Sequence, residues 1–320
     1  MSKVLITVDT ELSALLHQRG VPAEENLALS ITGPFGVGWQ MDRLERHGLK
    51  GVYFVDPMPG LAYGPAIVAR MVQPILERGH EVQLHIHTEW LEWAKASPVE
   101  GRQGRNIGDF SLEDQVMLIA TARDALVEAG APAPNAFRAG NYGANDDTLK
   151  ALAALRLQWD SSFNAYYRGG DCRISLDAGH VDPLRLHGVC EVPVAAIEDR
   201  PGTIRPAQVC ALSSAEMRAG LCHAAESGRP AFSVVTHSFE MLSRDRMRPN
   251  RLVMRRFENL CREIAGNPGL EGAGFADLDP AIAGEGAAGS RAPASRLRTL
   301  SRLAQQAFGT VAYERRLRPA

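Results

Sequence analysis

Lys3-Val4-Leu5-Ile6-Thr7-Val8-Asp9-Thr10-Glu11 is a short apolar run that ends abruptly in two carboxylates. Its length and β-branched content predict a buried strand rather than a helix, and the acids mark the point where the chain leaves the core. The same pattern recurs. Strands are expected at Lys3–Val8, Gly51–Val55, Glu81–His87, Asn135–Arg138, Leu157–Asp160, Cys190–Val194, Ala231–His237 and Gly272–Phe275. Segments of helical period separate them at Trp39–His47, Pro65–Arg78, Leu112–Ala129, Asp146–Leu155, Ser214–Glu226 and Leu252–Ala265. Ser111 before Asp114 and Ser213 before Glu216 stand where a side chain caps a helix start. This alternation is the signature of an α/β fold with a mostly parallel sheet, and 320 residues suit one large barrel with short attachments.

In such a barrel the carboxyl ends of the strands converge on one face. Titratable residues stand at those ends: Asp9, Asp56, His85 with His87, Arg138, Asp160 and His237. Asp56 precedes Pro57 and is read as a loop cap.

Composition narrows the class. The chain is 45% hydrophobic and 22% charged, as a packed core requires, and its net charge of −2 excludes a general attraction to nucleic acid. Five cysteines (Cys172, Cys190, Cys210, Cys222, Cys261) lack CxxC spacing, which argues against a disulfide framework or structural zinc. Met1-Ser2-Lys3 runs directly into the first strand and no stretch has the length of a membrane span, so a cytoplasmic location is expected.

Five short segments carry chemistry. In Thr7-Val8-Asp9-Thr10-Glu11, alternation along an extended chain puts Asp9 and Glu11 on one side. In Gly79-His80-Glu81-Val82-Gln83-Leu84-His85-Ile86-His87-Thr88-Glu89-Trp90, His85 and His87 project together and Glu89 lies where the chain can turn back toward them. Imidazole and carboxylate are the donors of an open divalent site, zinc being its commonest occupant. His80 points to the opposite face. Phe137-Arg138-Ala139-Gly140-Asn141-Tyr142-Gly143 ends a strand in an arginine and a glycine-rich turn, able to hold a carboxylate ionised and aim amides at an oxyanion. Asp160-Ser161-Ser162-Phe163 and Val234-Val235-Thr236-His237-Ser238 complete the set. A histidine held by a carboxylate is a competent general acid near neutral pH.

Together and in this order, TVDTE, GHEVQLHIH, FRAGNYG, DSSF and VVTHS resemble the five motif regions of the polysaccharide deacetylases, carbohydrate esterase family four, over roughly Lys3 to Asp277. The resemblance implies a distorted (β/α) barrel of about seven strands. It also implies one divalent metal, most simply zinc with nickel, cobalt or manganese as alternatives, held by an acidic residue and two histidines. Asp9 would be the catalytic base, oriented by Arg138, and His237 the general acid, oriented by Asp160. Asn141 or Tyr142 would bring an amide to the oxyanion. The chain departs from the family pattern in two places. Thr10 replaces a second aspartate, which shifts the acidic ligand to Glu11, and Glu89 stands where the second histidine is usual. The expected metal ligands are therefore Glu11, His85 and either His87 or Glu89. Trp90, just beyond, is either a stacking surface for a sugar ring or core.

The implied activity is removal of an N-acyl group, first N-acetyl, from an amino sugar or glycan precursor. A related deformylase or cyclic-amide hydrolase and a silent carbohydrate-binding barrel are the alternatives. Domain boundaries are expected at 1–280 for the barrel, 281–295 for a flexible Gly/Ala/Ser linker and 296–320 for a basic amphipathic tail. The tail's leucines either pack on the barrel or a partner subunit, or lie on an anionic bilayer at the inner leaflet.

Overall fold

The computed structural model describes residues 1–286 and 288–314. The strands are β1 Ser2–Thr10, β2 Val52–Val55, β3 Glu81–Ile86, β4 Ala136–Ala139, β5 Trp159–Asp160, β6 Leu184–Leu186, β7 Val189–Glu191, β8 Ala196–Arg200, β9 Thr203–Pro206, β10 Ala231–His237 and β11 Leu270–Gly272, and the expected ones are among them with boundaries that move by a few residues. The sheet runs β10-β1-β2-β3-β4-β5-β7-β6, with β11 branching from β1. From β10 to β7 every pairing is parallel, which gives seven staves; β6 adds an antiparallel edge. Beyond β7 the chain returns to β10 through a parallel bridge of Val194 to Ser233, so the sheet curls toward closure. The fold is thus a distorted (β/α) barrel. β6 and the β8–β9 hairpin were not among the expected strands, because LRL and AIEDR carry charges inside short runs and lack the apolar signal of the staves.

All six expected helices are present, at Val37–Arg46, Ala66–Glu77, Leu112–Glu128, Asp146–Ala154, Ser214–Ser227 and Arg251–Gly266. The Ser111 hydroxyl accepts from the Asp114 amide, and Ser213 and Glu216 form a reciprocal capping box. Helices cover the outside of the barrel through two large apolar clusters, and a third fills its interior around Leu5, Phe54, Trp159 and Phe275. No helix among the described residues is long and apolar enough to cross a membrane.

The segment after the barrel does not hang free. Gly284 pairs with Leu184, Ala288 with His180, and the Ala292 carbonyl accepts from the Glu198 amide. The helix Arg296–Gly309 then docks by its polar side. Arg302 is fully buried, its Nη2 on Asp199 at 2.5 Å and its Nε on Glu216 at 2.9 Å. Leu297, Leu300, Leu303, Phe308 and Val311 face outward, from 42 to 81% exposed. Packing of the tail leucines onto the barrel is therefore overturned, because the buried ion pairs orient the helix the other way. The tail residues Arg315, Arg316 and Arg318 lie outside the described residues.

Removing one partner of a buried ion pair strands the other charge in a poor dielectric, at a cost of about 3–5 kcal/mol. Arg302→Ala removes the cation shared by two buried carboxylates, of which Asp199 keeps Arg205 at 3.3 Å and Glu216 keeps only the Ser213 amide and hydroxyl. It is expected to lower the urea midpoint and to open the segment around Arg291 and Arg296 to trypsin. Unchanged stability and protection would show that the tail contributes nothing to the fold.

Candidate active site

Sheet register brings the strand-end residues together. Asp9 on β1 lies opposite His237 on β10, and His85 on β3 lies opposite Arg138 on β4. Asp9, Glu11, His85, His87, Asn141, Tyr142 and His237 all line one cavity of about 250 Å³ at the carboxyl end of the barrel. As alternation requires, Asp9 and Glu11 share that cavity while the Thr10 hydroxyl between them turns back to the Val8 carbonyl.

Arg138 anchors Asp9. It is wholly buried and donates from Nη1 to Asp9 Oδ1 and to Thr7 Oγ1, both at 2.7 Å, and from Nε to the Ser161 carbonyl at 3.0 Å. Its guanidinium also lies over the Phe54 ring at 4.4 Å. Burial alone would push the Asp9 carboxyl up, but Arg138, helped by His237, outweighs it and holds the group below the usual carboxylate range.

Glu11, His85 and His87 form a ligand set whose donor atoms lie within 4.8 Å of one another. The arrangement could hold a divalent cation: His85 has Nδ1 engaged and Nε2 left for the cavity, and the His87 Nε2 and Glu11 Oε2 that now face each other are the two donors a cation between them would take. His85 Nδ1 donates to the Arg138 carbonyl at 2.7 Å. His87 Nδ1 meets Glu89 Oε2 at 3.0 Å while its Nε2 faces Glu11 Oε2 at 2.5 Å. This is the carboxylate-to-histidine support common behind metal ligands. Glu89 also accepts from Asn141 Nδ2 at 3.1 Å. Of the two candidates for the third ligand position, His87 therefore stands in the set and Glu89 stands behind it. Burial pushes the His85 imidazole down to about 4, so it is neutral at physiological pH. Burial also disfavours the charged form of His87, but Glu11 and Glu89 overcome it and raise the group well above its ordinary range.

The glycine of FRAGNYG has a steric reason. A Cβ at Gly140 would stand 2.6 Å from the Ile86 carbonyl and 2.8 Å from His87 Nδ1. The turn Gly140–Tyr142 can close on the histidine only without a side chain there, and Asn141 and Tyr142 follow in the left-handed region. Tyr142 stacks on Tyr167, ring centroids 5.3 Å apart, to wall the cavity.

Two expectations change. Asp160 does not reach His237: it accepts from the Ser162 hydroxyl and amide at 2.7 and 3.1 Å and pairs with Glu191 behind Arg138. Burial raises both carboxyls of that pair, Glu191 further because the Asp160 charge adds to it, so the pair retains a proton. The residue that orients His237 is Glu240, whose Oε1 meets Nδ1 at 2.7 Å and which is itself held by Gln208 and Thr236. His237 Nε2 is left facing Asp9 Oδ2 at 4.0 Å. Finally, Trp90 is fully buried in an aromatic cluster with His17, Tyr63 and Trp93, so it does not offer a ring face to a sugar in the main cavity.

Asp56 is the loop cap expected, with Oδ1 accepting from the Met58 amide at 3.0 Å, and burial pushes its carboxyl up to about 7. His80 lies on the opposite face, accepting from the Gly51 amide and meeting Glu45. Residues that the sequence motifs did not single out, namely Tyr167, Asp171, Gln208 and Arg105, also line the cavity, all from loops. Glu240 alone among the missed residues had a signal, a carboxylate three positions after a strand-end histidine.

With this geometry in view, comparison with known proteins is informative on the fold. No protein-family model and no curated protein matches the sequence. Among solved structures, a Mycobacterium smegmatis protein classed as a polysaccharide deacetylase aligns over 100% of this chain and 94% of its own, at 19% identity and a TM-score of 0.53. A family 4 carbohydrate esterase from Streptomyces lividans, solved with acetate, aligns over 91% of this chain and 98% of its own, at 13% identity and a TM-score of 0.42. A polysaccharide deacetylase from Bacillus cereus aligns over 87% and 95%, at 11% identity and a TM-score of 0.42. The chain has the fold of the polysaccharide deacetylases.

Burial pushes the His237 imidazole down, but Glu240, Asp9 and Glu11 lift it to about 9. Because the folded value exceeds the unfolded one of about 6.5, this pairing contributes stability that is full below about pH 6.5 and is lost as pH rises through about 9. In chelator-stripped protein, Glu240→Gln is expected to bring the His237 NMR titration down toward the ordinary histidine range. An unmoved midpoint would remove Glu240 from this role.

Proposed function

We propose that the protein hydrolyses an N-acyl amide, most simply N-acetyl, on an amino sugar or glycan precursor, with one divalent metal held by Glu11, His85 and His87. The observation that carries this reading is the pairing, within one small polar cavity, of a three-donor ligand set with a carboxylate and an imidazole on adjacent strands. The shared fold with a protein classed as a polysaccharide deacetylase supports the reaction class. Zinc is the first expectation for this donor set, with nickel, cobalt or manganese next. Such an ion supplies Lewis acidity toward the amide carbonyl and makes a water easier to deprotonate.

The chain's own groups do the rest. Asp9, kept ionised by Arg138, accepts the proton of the attacking water. His237 starts protonated and donates from Nε2 to the departing amine, while Glu240 on Nδ1 fixes the ring. Asp9 and Arg138 form one unit, so the base cannot swing away from the cavity. The Gly140–Tyr142 turn brings Asn141 and Tyr142 to the wall where a backbone amide would meet the oxyanion. A silent binding barrel has no use for an acid and a base facing each other across the ligand.

Protein purified without chelator is expected to carry about one divalent ion per chain and to release acetate from N-acetylated sugars. His85→Ala should lose metal and turnover together. Asp9→Asn and His237→Ala should keep the metal and lose about a hundred- to ten-thousandfold in rate. Formate release, or turnover of cyclic amides with none on acetylated sugars, would assign the related activity instead; retention of rate by both variants would reject the acid–base roles.

For the tail, the proposed partner is an anionic bilayer. Leu297, Leu300, Phe308 and Val311 form an exposed stripe on a helix that also carries exposed Arg296, and cations beside an apolar face suit a headgroup region. Cosedimentation with anionic vesicles should fall when Leu300 and Phe308 are replaced by Glu. Negligible binding by the unaltered chain would reject the contact.

A further inference from the structure

Behind the ligand set lies a second, smaller cavity of about 160 Å³ that uses Glu11 and His87 as a shared wall. Leu12, Ala14 and Phe239 make it partly apolar, and Arg246 is the one arginine in its lining. The Arg246 guanidinium lies over the Phe239 ring at 4.3 Å, and its Nη1 is buried with no hydrogen-bond partner. Among the described residues it makes no ion pair. Its nearest candidates are already engaged: Glu11 faces His87 Nε2, and Glu89 holds His87 Nδ1 and Asn141.

The loop that carries Arg246 is otherwise well satisfied. Asp245 Oδ1 accepts from the Ser243 hydroxyl at 2.5 Å and the Met247 amide at 3.1 Å, and the Arg246 amide donates to the Ser243 carbonyl at 2.7 Å. Two links tie the loop to the C-terminal segment, the Arg244 amide donating to the Tyr313 carbonyl and Arg248 Nη2 to the Ala312 carbonyl. Arg246 itself sits at φ +60°, a left-handed conformation a glycine or asparagine would adopt with less strain. A fixed, strained turn therefore places a half-buried guanidinium, one nitrogen of which has no acceptor, beside Glu11 and His87. A buried donor atom with no acceptor is costly, and a ligand that supplies an acceptor to Nη1 removes that cost.

We propose that this second cavity is an anion subsite, in which Arg246 takes a carboxylate or phosphate substituent of the substrate. The inference rests on the hydrolase reading for the placement of the acyl group at Glu11, His85 and His87, and it narrows the substrate to an acidic amino sugar. The guanidinium fork matches both oxyanions in a way an ammonium does not.

The test is calorimetric binding by the metal-loaded full chain of neutral N-acetylglucosamine, its 6-phosphate and N-acetylmuramic acid. These ligands separate a phosphate from a carboxylate source. At least one acidic sugar should bind about tenfold or more tightly than the neutral one, in the range of a charge-assisted hydrogen bond. Arg246→Gln should abolish that preference with neutral-sugar binding and metal content unchanged and the thermal midpoint not lowered, and Arg246→Lys should restore only part of it. Where turnover is measurable, the loss should fall on KM for the acidic substrate and leave kcat alone. Equal binding of all three sugars by the unaltered chain would overturn the subsite, and so would a preference that survives Arg246→Gln, since the anion would then be bound elsewhere. An Arg246-dependent preference with no acyl release from any sugar would keep the subsite and reject the hydrolase reading.

Discussion

The buried guanidinium of Arg138 is the interaction on which the barrel's working end depends. A charge placed at the centre of a protein must be paired and its donors filled, or it costs several kcal/mol. Arg138 fills them from several staves: Asp9 and Thr7 on β1, Ser161 just past β5, and Ser233 on β10. Its own carbonyl, on β4, takes the Nδ1 proton of His85 on β3. One residue thus sets the ionisation of the candidate base and the tautomer of a candidate metal ligand. The strands cannot shift register without breaking both.

Adjacency of strands does the remaining positioning. β1 lies between β10 and β2, so the Asp9 carboxylate and the His237 imidazole are neighbours by topology although 228 positions separate them. Each is then driven to the opposite protonation state by its own partner. Arg138 favours the charged carboxylate, and Glu240 favours the charged imidazole. Two groups pushed apart in this way can exchange protons with a substrate in complementary directions.

The staves and the strand-end residues were legible because both follow local rules. A β-branched run ending in a polar residue means a strand leaving the core, and seven such runs can place their ends on one face. The pairing of His87 with Glu89 and of His237 with Glu240 is also local in sequence, two and three residues apart, yet only backbone direction decides which member meets the cavity. That direction was not readable, which is why Asp160 was assigned to His237 and Glu240 was missed. The cavity's loop residues, Tyr167, Asp171, Gln208 and Arg105, lie in segments without periodicity, where tertiary contacts alone decide position. Trp90 misled for a different reason: an aromatic beside two histidines is equally consistent with a rim or a core, and burial settles it.

The tail shows how a sequence pattern can be right while its orientation is reversed. Leucines at helical spacing do form one face of Arg296–Gly309, but Arg302 on the opposite face has two buried carboxylates waiting, Asp199 from β8 and Glu216 from the helix Ser214–Ser227. A helix cannot bury both faces against one surface, and here the face that carries Arg302 is the buried one. The ion pairs therefore dictate the docking angle. The same docking carries the chain on to Ala312 and Tyr313, whose carbonyls hold the loop of Arg246 in place. The wall of the second cavity is in this way stabilised from the far end of the polypeptide, through a helix whose buried side is polar and whose apolar side is open.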